Sequence, residues 1–299
     1  MVALGDTLKD TPEPKFKFRY FSPASITAFF SPFHGKNPED FENIGSTGVG
    51  INLESGVTAE LERSDSVEIR LNSRKFTFPT LDLVLEKLIM GYSDIGLNLN
   101  LKSDIPPGYG FGFSASACLS SAFAVSEALN MNKGFFEVAD LVHECEVRCA
   151  TGLGDVVCQS YGGVVVRKKA GAPSKARVEK FLFDKEINFL MLGDISTSKI
   201  LKDDEIVRSI QYHGGIALEK FLRNPTFDSI FLLSNEFALK TGLMDDEVLE
   251  IIREVEHLGY KASMVMLGKV VFTDCPTEIL KEYGDVFSSK ISQFGIRRA

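Results

Sequence analysis

Between residues 105 and 117 the chain reads Ile-Pro-Pro-Gly-Tyr-Gly-Phe-Gly-Phe-Ser-Ala-Ser-Ala, and Gly108, Gly110 and Gly112 let backbone amides approach an anion with no Cβ in the way. A buried helix of small residues is expected to follow from residue 114. Its N-terminus adds unpaired N–H groups and a positive dipole, which completes a phosphate cradle. Ser114 falls in the first helical turn, where its hydroxyl either caps the helix or helps ligate a nucleotide-bound Mg²⁺. Two better-known loops do not account for the run. No GxxxxGK[ST] is present; residues 110–115 satisfy the loose form GxGxxA, but a second helix follows where a dinucleotide fold needs a strand ending in an acidic residue.

A second segment, Thr151-Gly-Leu-Gly-Asp155, ends the next helix. An aspartate straight after Gly-Leu-Gly sits on a tight connection that can deliver a carboxylate into a cleft, as a base for a substrate hydroxyl requires; the alternative is an N-cap of the next element. Two glutamates on the preceding helix differ by face. Glu144 stands four residues before Arg148, the spacing of a surface ion pair, whereas Glu146 lies beside the apolar stripe that holds Val142 and Cys149. An inward carboxylate needs a cationic partner, either Mg²⁺ beside the phosphate loop or a buried salt bridge, for which Arg167 is available.

Residues 16–30 and 46–71 are rich in Phe, Val, Ile and Thr, and Val67, Ile69 and Leu71 alternate with Glu68 and Arg70, so the first quarter is read as β-rich. A helix is predicted over 81–92 and a strand over 95–101. Helices at 114–129 and 135–150 follow, the second stopped by Gly152, and then a strand at 164–168. The basic, small-residue stretch 168–177 is the expected boundary between domains 1–172 and 173–299. In the second half strands at 187–192, 262–267 and 270–273, with a tight Gly268-Lys269 hairpin, are separated by helical patterns at 204–222, 228–241 and 246–258. That mixture, without a regular βαβ beat, gives an α+β class.

The chain has 299 residues, 44% hydrophobic and 25% charged, so it folds around a core as one large domain or two packed ones. Its net charge of -8 argues against a broad nucleic-acid surface, and any anionic substrate must be held by a local pocket. Residues 105–126 carry no charge, yet two prolines, three glycines and five serines make them unsuited to span a membrane. Cys118, Cys145, Cys149, Cys158 and Cys275 are odd in number without a CxxC pair, so they are read as reduced core thiols. Cys145, Cys149 and nearby His143 fall short of a zinc set. Asp6, Lys9 and Asp10 with no early apolar run give no secretory signal, and a cytoplasmic protein is expected.

Taken together, these segments resemble the GHMP kinase superfamily, named for galactokinase, homoserine, mevalonate and phosphomevalonate kinases. Its second motif, P-x-x-x-G-L-G-S-S-A, looks like residues 106–115. The first looks like Ser22-Pro-Ala-Ser-Ile-Thr27, and the third resembles Ala262-Ser-Met-Val-Met-Leu-Gly268. The run TGLGDVVCQSYGGVVVRKKAG at 151–171, with SPASITAFF near the start, looks most like the archaeal pantoate kinases, which phosphorylate the 4-hydroxyl of pantoate with ATP on a route to coenzyme A. Three departures stand out. Ser25 occupies the place of a lysine found in some members, Phe113 replaces the first serine of the serine pair, and Cys149-Ala150 replaces a more basic pair, which leaves the cationic group near the transferred phosphoryl unassigned.

The resemblance implies a two-domain GHMP kinase fold: an N-terminal domain like domain 2 of ribosomal protein S5 and a ferredoxin-like C-terminal domain, with the site between them. It implies Asp155 as the catalytic residue, Ser114 and Glu146 as Mg²⁺ ligands, and ATP held by Pro107, Gly108, Gly110, Phe111, Gly112, Phe113, Ser114, Ala115 and Ser116. Ser25, Thr27, His34, Arg148 and Arg167 are the candidates for holding pantoate. The acceptor is a small molecule, with neither nucleic acid nor membrane as partner, and a homodimer is compatible with the sequence. Two rivals are weighed: a kinase for homoserine or mevalonate, and a GHMP-fold protein that binds nucleotide without turnover.

Overall fold

The computed structural model describes residues 18–35, 37, 39–92, 96–193 and 204–299. Asp6, Lys9 and Asp10, on which the absence of a signal was read, lie outside the described residues, as do Phe16, Lys17 and Ile95 of two expected strands.

Strands β1 (Phe18–Phe33) and β2 (Gly45–Ser64) pair antiparallel along most of their length and form the spine of the first sheet. Val49, Ile51 and Leu53, then Val57, Ala59 and Leu61, face inward along β2. The register breaks between Pro23 and Ser25, where Gly56 passes so close to β1 that a Cβ would lie 2.2 Å from the Ser22 carbonyl oxygen. A bulge re-aims the side chains beside it, and Ser25 is turned into the interior. The β-rich expectation over 46–71 resolves into β2 and a short β3 (Glu68–Leu71), joined to an edge strand β4 (Arg74–Lys75).

Helix α1 (Pro79–Ile89) leads to β5 (Gly96–Ser103), which pairs with the second half of β2 and runs parallel to β3. Helix α2 (Phe113–Ala128) lies on β1 and β2, flanked by α1 and by α3 (Phe135–Arg148). It carries no charge over 113–126, and its inner serines return hydroxyls to the preceding turn: Ser120 to Ser116 O at 2.8 Å, Ser121 to Ala117 O at 2.6 Å. Such back-bonding lets a serine-rich helix be buried without orphaned hydroxyls. Ala150, not Gly152, ends α3: it takes the left-handed φ of 53° itself, and the Thr151 amide closes on Glu146 O at 3.0 Å.

After α4 (Asp155–Tyr161), β6 (Val164–Lys169) pairs with the first half of β2, and β7 (Arg177–Phe181) pairs with β6. Residues 168–177, expected as the boundary, therefore connect two neighbouring strands of the first sheet. The second sheet begins beyond them with β8 (Glu186–Gly193).

Helices α5 (Asp204–Arg223), α6 (Phe227–Thr241) and α7 (Asp246–His257) follow, close to the expected ranges. The second sheet is completed by β9 (Ala262–Met264), β10 (Lys269–Thr273) and β11 (Asp285–Lys290), in the antiparallel order β11-β8-β10-β9 among the described residues. Helix α8 (Thr277–Leu280) is one turn, and β12 (Arg297–Arg298) returns to β1. The expected strand 262–267 stops at Met264, because Val265 to Gly268 form a turn in which Leu267 has φ 63° and the Met266 amide bonds Thr27 O at 3.0 Å. The two layers are tied through β1: Phe29 packs on Phe221 of α5 and Phe30 on Phe237 of α6. No helix among the described residues is long and apolar enough to cross a membrane.

Candidate active site

A cleft of about 470 Å³ opens beside the N-terminus of α2, and the glycine run, the end of α3 and the start of α4 converge on it. Pro107, Gly108, Gly110, Phe111, Gly112, Phe113, Ser114 and Ala115 all border it; Ser116 does not, since its hydroxyl turns inward to Pro23 O at 2.8 Å. The loop is held from behind. Phe111 is buried in edge-on contact with Phe189 and Phe287 of the second sheet, its carbonyl accepts from the Ser25 amide, and Gly110 touches the 265–268 turn so closely that a Cβ would meet Val265 at 2.9 Å.

Gly112 is the N-cap of α2 at φ 63°, and no side chain caps the helix, so its first-turn amides remain open to the cleft. Ser114 is therefore no cap. Its hydroxyl donates instead to Oε1 of Glu146 at 2.5 Å.

Glu146 is buried, and the carboxyl is pushed up to about 7, chiefly by burial and further by the nearby Asp155 charge, against hydrogen bonds from Ser114 and Thr151. Gly152 gives it room, since a Cβ there would sit 2.5 Å from Oε2. Among the described residues no basic side chain lies within ion-pair distance of it, so the salt bridge weighed for Arg167 is not formed. Glu144 instead pairs with Lys87 at 2.9 Å and with Arg148 at 2.8 Å on the outer face. A buried carboxylate beside a hydroxyl at a helix N-terminus, without a basic partner, is a hard oxygen set that fits Mg²⁺.

Asp155 is the first residue of α4; Gly154 is the N-cap, and no side-chain cap bond forms. The carboxylate is used elsewhere: Oδ1 accepts from the Ser25 hydroxyl at 3.0 Å. Burial raises its pKa, opposed by the charge of Arg167 and the bond from Ser25. Arg167 is itself buried on β6. It donates through Nε to Ser46 O at 3.3 Å, while Nη1 has no partner. Two glycines make space for this guanidinium: a Cβ on Gly50 would lie 3.0 Å from Nη1, and one on Gly154 2.9 Å from Cζ.

The remaining candidates separate. Thr27 borders the cleft, and Ser25 lies just behind Asp155. Arg148 does not reach the cleft, because Glu144 and Glu39 hold it on the outer face, over the Phe41 ring. His34 is exposed at the end of β1 and does not border the cleft. Sequence reasoning missed Ser46, Gln159, and Phe76 and Phe78, which pack on the expected Phe113 to form an aromatic wall. Only Gln159 carried a local signal, standing four residues after Asp155 on the same helical face.

The zinc alternative has no support: among the described residues no three His, Cys, Asp or Glu converge, and His143 spends Nε2 on Ile44 O at 2.9 Å. All five cysteines are free thiols, and burial pushes Cys145 and Cys158 up to about 12.

Residues 77–163, which carry most of this cleft, match the GHMP kinases N terminal domain. A pantoate kinase of Thermococcus kodakarensis is 35% identical over 268 residues, covering 85% of this chain and 86% of its own. Another from Methanocaldococcus jannaschii is 33% identical over 274 residues, 91% and 97% of the two chains. Among solved structures, a phosphotransferase related to the CoA biosynthesis pathway superposes with a TM-score of 0.85 at 31% identity, over 94% of this chain and 98% of that one. A homoserine kinase from Cytophaga hutchinsonii, at 15% identity over 98% and 100% of the chains, shares the fold with a TM-score of 0.65.

Proposed function

This chain belongs to the pantoate kinases, a branch of the GHMP kinases, and we propose that its cleft carries phosphoryl transfer from ATP to the 4-hydroxyl of pantoate with Asp155 as the base. The product, 4-phosphopantoate, lies on the route to coenzyme A.

The open amides of the glycine run and of the first turn of α2 bind the triphosphate, whose charge suits a helix N-terminus. Ser114 and Glu146 would hold Mg²⁺. That ion, when bound, offsets phosphate charge. Arg167 borders the cleft with a buried guanidinium that is not fully partnered, and the carboxylate of pantoate is the group we assign to this cation. With the carboxylate held there, the acceptor hydroxyl comes within reach of Asp155. A carboxylate with a raised pKa is a better base than an exposed one, and Asp155 takes up the hydroxyl proton as the oxygen attacks in line. The aromatic wall of Phe76, Phe78 and Phe113 is left for the nucleobase.

One observation carries the reading. The only buried guanidinium bordering the cleft among the described residues has a nitrogen without a partner, and its charge acts on Asp155. ADP release measured with pantoate, homoserine, mevalonate and shikimate tests it. Pantoate is expected to be fastest, and a tenfold better rate with another acceptor would overturn the substrate assignment while leaving the kinase chemistry in place.

A further inference from the structure

Behind Asp155 lies a row of buried polar side chains that the reaction as described does not use. Gln159 is fully enclosed on α4, one turn beyond Asp155. Its Nε2 donates to two acceptors, the Gly112 carbonyl at 2.9 Å and the Ser25 hydroxyl at 3.0 Å; its Oε1 faces the Ser22 hydroxyl at 3.5 Å. Ser25 in turn donates to Oδ1 of Asp155.

From this row we infer that Gln159 is a positioning residue for phosphoryl transfer, one that ties the phosphate-binding loop to the base through Ser25. The inference rests on Asp155 being the base.

The direction of each hydrogen bond follows from which atoms can donate. A backbone carbonyl only accepts, so the Gly112 oxygen fixes which end of the Gln159 amide faces it; the flipped amide would set oxygen against oxygen. With Nε2 so placed, Ser25 receives a hydrogen from Gln159. Its own hydrogen is then directed to Asp155. Oδ1 of Asp155 is thereby occupied, and Oδ2, which faces Gly152 and Glu146, is the oxygen left for a substrate hydroxyl. The loop is part of the same contact: a Cβ on Gly112 would lie 2.6 Å from Gln159 Nε2, 2.7 Å from Ser25 Oγ and 3.3 Å from Asp155 Cγ. A shift of the loop that seats the nucleotide is therefore felt at the base.

The groups around Asp155 define what a pH measurement reads. Arg167 faces it from β6 and Glu146 from α3; Ser25 faces it from β1, and Cys158 lies on α4 itself. Of these, Ser25 and Arg167 favour the ionised carboxylate, while Glu146 in its charged form opposes it. Losing the Ser25 hydrogen bond raises the pKa of the base, so the acid limb of the kcat profile moves to higher pH.

The test is steady-state kinetics with MgATP and pantoate on the full chain, across pH, for Gln159→Met, Ser25→Ala, their double variant and Asp155→Asn. Gln159→Met keeps the volume and removes both donors. It should lower kcat by about 10- to 100-fold, the scale of the hydrogen bond to charged Asp155 that it directs through Ser25, move the acid limb upward, and raise KM for ATP through the loosened Gly112. Ser25→Ala should give the same limb shift and a similar fall in kcat with KM for ATP unchanged, because the Gln159–Gly112 bond survives in it. The double variant should show no larger limb shift than Gln159→Met alone, as coupled residues do. A wild-type acid limb in Gln159→Met, even with lowered thermal stability, assigns Gln159 a structural role and overturns the inference. If that variant does not fold, an unshifted limb in Ser25→Ala overturns it equally. Wild-type turnover in Asp155→Asn is a separate outcome, which removes the base itself.

Discussion

The Ser114 hydroxyl meets Oε1 of Glu146 at 2.5 Å, so the first turn of α2 and the buried carboxylate of α3 share one point at the cleft floor. Burial, with no basic side chain within ion-pair distance among the described residues, keeps that carboxylate protonated up to about 7 instead of the ordinary 4.5. Folding then favours the protonated form. The stability this contributes is complete below the ordinary value and is lost as pH rises through about 7.

Two consequences are measurable for Glu146→Gln. Raising the pH from about 5 to about 8 without Mg²⁺ should lower the wild-type Tm relative to that of the variant, which has no proton to lose. The variant should also need far more Mg²⁺ for turnover. Glu144→Gln should change little, because its partners Lys87 and Arg148 are surface groups. Coincident Mg²⁺ titrations for the two variants would remove Glu146 from the metal site.

Arg167 gives a second prediction. Arg167→Lys keeps the charge and loses the planar fork, and KM for pantoate should rise roughly 10- to 100-fold, the worth of a charge-assisted hydrogen bond, with KM for ATP nearly constant. Arg167→Met should in addition move the acid limb of kcat to higher pH, since removing the cation raises the pKa of Asp155. Equal effects on both KM values would mean that Arg167 supports the fold of the cleft rather than the acceptor.

The parts of this site that were legible in the sequence share one property: their chemistry is declared by residue type within a short segment. Gly108 to Ser114, Glu146 beside its apolar stripe and Asp155 after Gly-Leu-Gly are of that kind. What stayed hidden depends on partners far along the chain. Phe111 reads as loop until the second sheet supplies Phe189 and Phe287, 78 and 176 residues later. Arg167 is one of five candidates in the sequence, and only the fold, where Gly50 and Gly154 leave it room, separates it from Arg148 on the outer face. The fold has the same division. Amphipathic helices 204–223, 227–241 and 246–257 follow from their own periodicity. Strand β7, with its burial pattern mostly exposed, lacks an apolar alternation, and β12 is two arginines paired with β1. Neither is visible without its neighbour.

A third prediction concerns the thiols. Cys118, Cys145, Cys158 and Cys275 are buried, whereas Cys149 is partly exposed and borders the cleft. Alkylation of the native protein should label Cys149 first, and denaturation without reductant should reveal all five. A mass short of five labels would overturn the assignment of all five as free thiols. Saturating MgATP should slow the labelling of Cys149, since the nucleotide fills the same cleft.

The last prediction separates the two roles an aspartate can play at the start of a helix. Asp155→Asn keeps the size of the side chain and can still accept from Ser25 through its amide oxygen, so neither the fold nor the start of α4 has reason to fail. The variant should melt close to wild type and bind ATP normally, because the loop amides, Ser114 and Glu146 are untouched. An amide cannot take up the hydroxyl proton, and positioned acid–base groups contribute about 10² to 10⁴ in rate, so kcat should fall within that range. The three measurements, kcat, nucleotide affinity and Tm, must move apart for the assignment to hold. A kcat within a few-fold of wild type would show that proton removal does not depend on Asp155, whereas a matched fall in Tm and affinity would mean that its bond to Ser25 holds the cleft together rather than serving the chemistry.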